Sequence, residues 1–196
     1  MNVSKEVQQL MMDIASLNSA LTFHAIVERA AAYGRKCVEE GYWVNSIIAL
    51  CPKGVSFQHL VFETDQEKDE VFGRVANNLA LHNAQLAVLI SDVWLGRTRG
   101  VRPSADPSRR QALVVSAVVP EGKVVRSWLA FYDRVNGHIH WHKAETDGRN
   151  EQCVLRPWVI TIRGITCPLV IPAKVDGDNM RMFLTLDEDG NATWPS

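Results

Sequence analysis

The stretch from Leu86 to Leu95 reads LAVLISDVWL, and its pattern determines how the rest of the chain is interpreted. Its residues are apolar at nearly every position, which is typical of a strand that is covered on both faces. Only Ser91 and Asp92 interrupt the apolar run. We therefore predict a central strand here, with a covering layer on each side of it.

Amphipathic helices are predicted before this strand, and the apolar face of each needs a partner surface. Apolar residues recur at helical spacing over Val3–Leu17 and again over Phe23–Val38. A third helix is predicted after Thr64, because Thr64 followed by Glu67 is the pattern of a capping box. The acidic residues from Glu63 to Glu70 then stand at a helix start, where negative charge is favoured.

Short strands joined by tight turns account for most of the remaining chain. Tyr42–Cys51 and Val55–Phe62 flank the turn Pro52-Lys53-Gly54, as expected for a hairpin. Further strands are predicted over Ala112–Val119, Val124–Tyr132, His138–Glu145, Val154–Ile162, Leu169–Lys174 and Arg181–Leu186. No repeat or linker divides the sequence. Residues 1–196 are therefore predicted to form a single α+β domain, with a mostly antiparallel sheet, two N-terminal helices and one further helix between strands.

The central segment, residues 87–115, reads AVLISDVWLGRTRGVRPSADPSRRQALVV. It resembles an uncharacterised prokaryotic and phage protein family in which a strand ends in an acidic-x-Trp motif. In that family a Pro-Ser-x-Asp-Pro loop and a second strand follow. The resemblance implies a strand-loop-strand arrangement here, and because the family has no established activity it implies no function.

Composition and charge restrict the function classes. The chain has 21 basic and 22 acidic residues, so it is not built as a whole to attract a polyanion. It shows neither the apolar core of a signal peptide nor a run long enough for a membrane span. Its four cysteines contain no C-x-x-C pair and are expected to be free thiols in a reducing compartment. A cytoplasmic protein without a membrane partner is expected.

A histidine-rich stretch, NGHIHWHK, follows the turn at Asn136-Gly137. On a strand, His138 and His140 would share one face and could hold a metal ion, provided that another ligand is found elsewhere. The alternative is an ordinary half-buried strand whose histidines face water while Ile139 and Trp141 face the core. We favour the alternative.

Basic residues cluster in the segment that follows the central strand. It contains the arginines Arg97, Arg99, Arg102, Arg109 and Arg110. The planar guanidinium group suits phosphate and carboxylate ligands, so this loop is a candidate for binding an anionic partner. The alternative is a solvated loop paired with the acidic start of the third helix.

Asp92 is the one carboxylate inside the central apolar strand. Burial of a carboxylate is costly unless it is paired or hydrogen-bonded. Asp92 is therefore either a general base with a raised pKa or, as we favour, the partner of an arginine such as Arg97 or Arg126.

No phosphate-binding, dinucleotide-binding, serine-hydrolase or zinc-protease motif is present, so we expect no catalytic residues and lean towards a protein that is not an enzyme. The leading hypothesis is a cytoplasmic interaction or accessory protein that acts through a protein–protein surface, on a partner or on itself as a homodimer. One alternative is a metal-assisted hydrolase or nuclease using His138 and His140, which alone would require a cofactor. The other is binding of an anion or nucleic acid through the Arg97–Arg110 loop, which is less favoured.

Overall fold

The fold is described from a computed structural model of the chain. The structure describes residues 5–16, 23–96, 98, 105–146, 159–162, 165–168, 182–186 and 192–193. In these ranges the helices are α1 (Lys5–Ser16), α2 (Phe23–Glu40) and α3 (Asp65–Leu81). The strands are β1 (Ser46–Cys51), β2 (Gly54–His59), β3 (Leu86–Leu95), β4 (Arg110–Val118), β5 (Val124–Val135), β6 (His138–Trp141), β7 (Glu145–Thr146), β8 (Val159–Ile162), β9 (Ile165–Pro168), β10 (Met182–Leu186) and β11 (Ala192–Thr193).

The strands form one large antiparallel sheet with β3 near its centre. The order is β11-β10-β2-β1-β3-β4-β5-β6, and β7 pairs with β5 beside β6. Strands β8 and β9 pair with each other in a separate two-stranded sheet. The predicted α+β class, with two helices before the sheet and one between strands, is confirmed.

The helices cover the two faces of the sheet unequally. Helices α1 and α2 pack on one face, which we call the α2 face, and their core includes Ile48, Val88, Ile90 and Leu113. Helix α3 packs on the other face, the α3 face, against Ile47, Ala87 and Leu89 among others. None of the helices in the described ranges is both long and apolar enough to cross a membrane.

The helices cover only the first half of β3. Leu86–Ile90 is buried, whereas residues 91–95 are partly or largely exposed. The expectation that β3 is covered on both faces is therefore right for its first half and wrong for its second. The cause is the reach of α2 and α3, whose buried contacts with β3 stop at Ile90 and Leu89.

Helix α2 lies directly on the sheet at Gly34. A Cβ atom placed on Gly34 would lie 3.0 Å from Ile90 Cγ2 and 3.0 Å from Leu113 Cδ2. These distances are shorter than ordinary carbon–carbon contacts of about 3.5–4.0 Å. The absence of a side chain at residue 34 therefore sets the distance between α2 and the strands β3 and β4.

The capping box of α3 is present as predicted. The Thr64 hydroxyl accepts from the Glu67 N–H at 3.1 Å, and the Glu67 carboxylate accepts from the N–H of Thr64 at 3.2 Å and of Glu63 at 2.7 Å. These hydrogen bonds lower the pKa of Glu67. The local pattern is sufficient here because all its members lie within one helical turn.

The strand predicted over Tyr42–Cys51 begins only at Ser46. Gly41 adopts a left-handed conformation, with φ of 74°, and the Tyr42 N–H donates to the Cys37 carbonyl at 2.8 Å. This is the hydrogen bond of a glycine-terminated helix end, so Tyr42 belongs to the end of α2. Its backbone donor is therefore not free to pair in the sheet.

Other boundaries also differ from the predictions. The segment His138–Glu145 is divided into β6 and β7, and of Val154–Ile162 the last four residues form β8. The prediction for Leu169–Lys174 lies outside the described residues. Strand β10 matches the predicted Arg181–Leu186 within one residue, whereas β9 and β11 were not predicted.

Substitution of Gly34 by valine should destabilise the protein. The added side chain must displace Ile90 and Leu113, and overpacking of this kind costs about 1–3 kcal/mol. Gly73→Val is the matched control, because Gly73 is also helical and has no atom within 4 Å of a Cβ placed on it. Urea denaturation should show a loss of unfolding free energy for Gly34→Val and little change for Gly73→Val. Equal effects would contradict close packing at Gly34.

Candidate functional site

The sheet brings most of the candidate residues to one of its ends, where β3 and β5 finish and β4 and β6 begin. Asp92, Arg109, Arg110 and the histidine strand all lie there. They are divided between its two faces, because neighbouring residues of a strand point to opposite sides. Arg97, Arg99 and Arg102 lie outside the described residues.

Asp92 is on the α2 face and is held by neutral donors. Its Oδ1 atom accepts from the Tyr132 hydroxyl at 2.8 Å, and Gln111 Nε2 lies 3.2 and 3.1 Å from the two carboxylate oxygens. The Asp92 N–H donates to the Asn45 side-chain oxygen at 3.0 Å. Side chains from β4 and β5 and the residue preceding β1 thus meet at Asp92.

The ionisation of Asp92 reflects its position at the edge of the core. Partial burial raises the pKa of Asp92, while the hydrogen bonds from Tyr132 and Gln111 and the positive charge of Arg134 oppose the rise. Burial and the adjacent carboxylate raise the pKa of Tyr132, so its hydroxyl remains a donor at neutral pH. Asp92 is therefore a hydrogen-bonded carboxyl group whose charged form is only partly compensated.

The prediction that Asp92 pairs with an arginine such as Arg126 is wrong for Arg126. That side chain lies further along the sheet and contacts His24, with Arg126 Nη2 at 3.0 Å from His24 Nδ1. The tyrosine and glutamine donors satisfy Asp92 instead. The other proposed partner, Arg97, lies outside the described residues.

Trp94 is the large apolar side chain at this end of the sheet. It lies two residues after Asp92 on the same face, pairs with Gln111 across β3 and β4, and is 47% exposed. The guanidinium carbon of Arg109 lies 4.8 Å from the centre of its ring. The stack therefore places the positive charge of Arg109 beside the exposed indole.

Asp106 organises the described end of the arginine loop. Its side chain is buried and accepts hydrogen bonds from the Thr98 N–H at 2.7 Å and from the Ser108 N–H and hydroxyl at 2.8 and 2.7 Å. These bonds hold the pKa of Asp106 far below its usual range. A Cβ atom on Gly96 would lie 2.8 Å from Asp106 Oδ2, so a side chain at residue 96 would displace the Asp106 carboxylate.

Arg110, one residue after Arg109, points to the α3 face. Its guanidinium carbon lies 4.7 Å from the centre of the Phe131 ring, and Arg110 Nη2 lies 3.8 Å from Asp133 Oδ2. Asp133 also binds His142 Nε2 at 2.6 Å, and this contact lowers the pKa of Asp133. The two described arginines of the loop therefore each lie over an aromatic ring, on opposite faces of the sheet.

The histidine strand has the predicted alternation. His138 and His140 are exposed, whereas Ile139 and Trp141 are partly buried against the core. Trp141 packs on Tyr132, donates to Glu39 Oε1 at 2.8 Å, and lies beneath the Arg35 guanidinium group. Within the described ranges, no three His, Cys, Asp or Glu side chains are grouped so that they could hold a metal ion.

No protein-family model, curated protein or solved structure matches this chain. The residues themselves are therefore the basis for assigning a function. At this end of the sheet they combine an exposed indole, a stacked guanidinium group and a hydrogen-bonded carboxyl group. Indole, guanidinium and carboxyl groups of this kind can all contact a ligand or a partner.

Residues that the sequence did not single out complete the surroundings of Asp92. They are Gln111, Tyr132 and Asn45, whereas Trp94, which supports Arg109, already belongs to the acidic-x-Trp motif. Gln111 lies next to a predicted strand, Tyr132 at the end of one and Asn45 inside another, so none of them carries a signal of its own. Pairing them with Asp92 would have required the registers of β1, β3, β4 and β5.

Tyr132→Phe should raise the pKa of Asp92 further. The Tyr132 hydroxyl stabilises the carboxylate, so its removal favours the protonated form. The expected cost in unfolding free energy at neutral pH is about 1.5–3 kcal/mol, since a hydrogen bond to a charged group is lost. An NMR titration of the Asp92 side-chain carboxyl carbon measures the pKa directly. An unchanged or lower pKa would show that the hydroxyl does not bind the carboxylate.

Trp141 and His140 should respond differently to truncation. Trp141→Ala removes the contact with Tyr132 and should cost about 3 kcal/mol, the lower end of the range for core aromatics, because Trp141 is partly exposed. His140→Ala should change the unfolding free energy by no more than about 0.5 kcal/mol. Denaturant melts of the two variants check this order. If Trp141→Ala leaves the unfolding free energy unchanged while His140→Ala lowers it, the metal alternative is favoured.

Proposed function

We propose that the protein is a non-enzymatic binding protein that engages an acidic segment of a partner protein through Trp94 and Arg109. The observation that carries the proposal is the half-exposed Trp94 ring with the Arg109 guanidinium group stacked over it. Tryptophan and arginine are enriched among the residues that dominate binding energy at protein interfaces. Here they form one unit beside a basic loop.

The exposure of Trp94 supplies a driving force for association. Trp128, which also points to the α2 face, is buried, whereas Trp94 lies beyond the cover of the helices. Burial of the exposed part of an indole against a partner contributes about 2–3 kcal/mol. This is a hydrophobic contribution that the folded chain alone does not obtain.

The charge near Trp94 favours an acidic partner. Residues 97–110 contain five arginines and one acidic residue, Asp106, whose carboxylate is buried and bound to Thr98 and Ser108. Positive charge in this loop therefore exceeds negative charge. A partner segment that carries aspartate or glutamate next to an apolar residue would match both Arg109 and Trp94.

A protein partner is favoured over nucleic acid because the two arginine–aromatic pairs of the loop lie on opposite faces of the sheet, where one strand of nucleic acid would not stack along both. Arg110, over Phe131, also lies 3.8 Å from Asp133 Oδ2, and this carboxylate would repel a phosphate group there. Nucleic acid remains the second candidate, since Arg110 over Phe131 provides another arginine–aromatic pair. Single-stranded nucleic acids bind to such stacked platforms, with affinity that falls steeply as salt rises.

Fluorescence anisotropy with defined probes tests the proposal. The probes are a labelled peptide of alternating glutamate with leucine and phenylalanine, the same peptide with lysine in place of glutamate, and a single-stranded oligothymidylate. We expect that, of the three probes, only the acidic peptide binds, with a micromolar Kd. Trp94→Ala should weaken it at least ten-fold, as expected for a residue at the centre of an interface.

Trp43→Ala is the matched control, because Trp43 is 46% exposed but donates to the Leu60 carbonyl, whereas Arg109 stacks on Trp94. It should leave peptide affinity unchanged. Arg109→Gln should weaken binding and reduce its salt dependence. If the oligothymidylate binds more tightly than the acidic peptide, the partner is nucleic acid and not protein. If Trp43→Ala and Trp94→Ala reduce the peptide affinity equally, the proposed site is wrong.

Sedimentation analysis distinguishes a foreign partner from a second copy of the chain. A dimer that forms at high concentration and is lost in Trp94→Ala would assign the surface to a homodimer. A wild-type monomer that still binds the acidic peptide would assign it to another protein.

A further inference from the structure

Four residues form a continuous row across the sheet, and Trp94 is its first member. The strand registers place Trp94 of β3 beside Gln111 of β4, Gln111 beside Tyr132 of β5, and Tyr132 beside Trp141 of β6. All four point to the α2 face, because residues that pair directly across antiparallel strands share a face. The exposed indole of the proposed site is therefore one end of a longer surface.

Each aromatic ring of this row has an arginine over it. The pairs are Arg109 over Trp94, Arg134 over Tyr132 and Arg35 over Trp141, with the guanidinium carbons 4.8, 5.7 and 4.9 Å from the ring centres. All three arginines are exposed. Positive charge is therefore distributed along the row from β3 to β6.

The arginines come from two sides of the row. Arg35 belongs to α2, whereas Arg109 immediately precedes β4 and Arg134 lies near the end of β5. None of the salt bridges between described residues involves Arg35 or Arg134. These two side chains are thus held over rings and not by carboxylates.

Two carboxylates lie among the arginines. Asp92 is bound by Tyr132 and Gln111, and the charge of Arg134 acts on it to lower its pKa. Glu39 Oε1 accepts from the indole N–H of Trp141 at 2.8 Å. Three arginines therefore accompany two carboxylates, and the ends of the row, at Arg109 and Arg35, are the places where a partner's carboxylates fit best.

We infer that the acidic partner segment lies across the strands along this row, in an extended conformation, with one carboxylate at Arg109 and another at Arg35. The inference rests on the proposed function and adds to it the path of the segment and the spacing of its acidic residues. Three inter-strand spacings separate β3 from β6, which is about 14 Å. An extended chain rises about 3.3 Å per residue, so the two acidic residues are about four positions apart. In a helix the same two residues would be separated by only about 6 Å along the axis.

The row suits separated charges better than a phosphate backbone. Asp92 beside Tyr132 and Glu39 beside Trp141 would each repel a phosphate group, whereas a peptide can present neutral residues at these positions. The guanidinium groups also occupy ring faces on which a base would stack.

Two labelled peptides of identical composition test the spacing on the whole protein by fluorescence anisotropy. One contains Glu-Leu-Pro-Leu-Glu and the other Leu-Glu-Pro-Glu-Leu, each flanked by Gly-Ser, and the proline disfavours helix formation in both. Their charges are equal, but the carboxylates are four residues apart in the first and two in the second. We expect the first peptide to bind about three-fold more tightly, the gain from one additional exposed ion pair.

Variants at the β6 end of the row assign the second contact. Arg35→Gln should bring the two peptides to equal affinity. Glu39→Gln removes a carboxylate one helical turn from Arg35 but keeps an oxygen for the Trp141 indole, so it should tighten the first peptide about three-fold. Partial unfolding cannot produce such a gain. Arg29→Gln is the matched control, because Arg29 is an exposed arginine of the same helix that pairs with Asp13, and it should leave the ratio of the two affinities unchanged.

The outcomes distinguish this inference from the proposed function. If the two peptides bind the wild type equally, or if Arg35→Gln and Arg29→Gln change the affinity ratio equally, the path along the row is wrong. If Trp94→Ala still weakens both peptides in that case, the proposed function stands without it. If neither peptide binds, the proposed function fails and the inference fails with it. Tighter binding of the oligothymidylate that is lost in Arg35→Gln would assign the row to nucleic acid and would also overturn the inference.

Discussion

The close contact of α2 with the sheet at Gly34 is the constraint on which the rest of the structure depends. With no side chain at this position, the helix backbone approaches Ile90 and Leu113 directly. A helix held so close buries the first half of β3 and ends soon afterwards, at Glu40. The second half of β3, with Asp92 and Trp94, is left beyond the helix. The same helix end, turned at Gly41, leads into Tyr42 and Trp43, which line a cleft together with Tyr33 and His59.

Strand alternation then divides the end of the sheet into two surfaces. Tyr132 points to the α2 face and binds Asp92, whereas its neighbour Asp133 points to the α3 face and binds His142. In the same way, Arg109 stacks on Trp94 on the α2 face, and Arg110 stacks on Phe131 on the α3 face. The sequence places these residues in adjacent pairs, but neighbours on a strand cannot share a site on one face. Asp92 and the histidines therefore belong to separate environments.

Local patterns account for what could be predicted from the sequence. The capping box at Thr64 and Glu67 and the alternation around Trp141 depend on residues within a few positions of each other. The partners of Asp92 do not, since Tyr132 lies 40 residues away and Asn45 lies 47 residues away. Their approach depends on the registers of three strand pairings, and a shift by one residue in any of them would turn the side chains to the opposite face. Ser46 Oγ and His59 Nδ1 lie 3.1 Å apart across β1 and β2, and this contact also depends on strand register.

Asp92 and Trp94 have different explanations, although both lie in the exposed half of β3. The carboxylate of Asp92 is satisfied by Tyr132 and Gln111, which join β4 and β5 to the end of β3, so a structural role is sufficient to explain it. Trp94 has no such compensation, because Arg109 stacks on the ring while nearly half of the side chain remains in water. The exposed part of the ring adds nothing to the core, and the proposed recognition of a partner at Trp94 would bury it. Asp92, by contrast, needs no catalytic role to account for its hydrogen bonds.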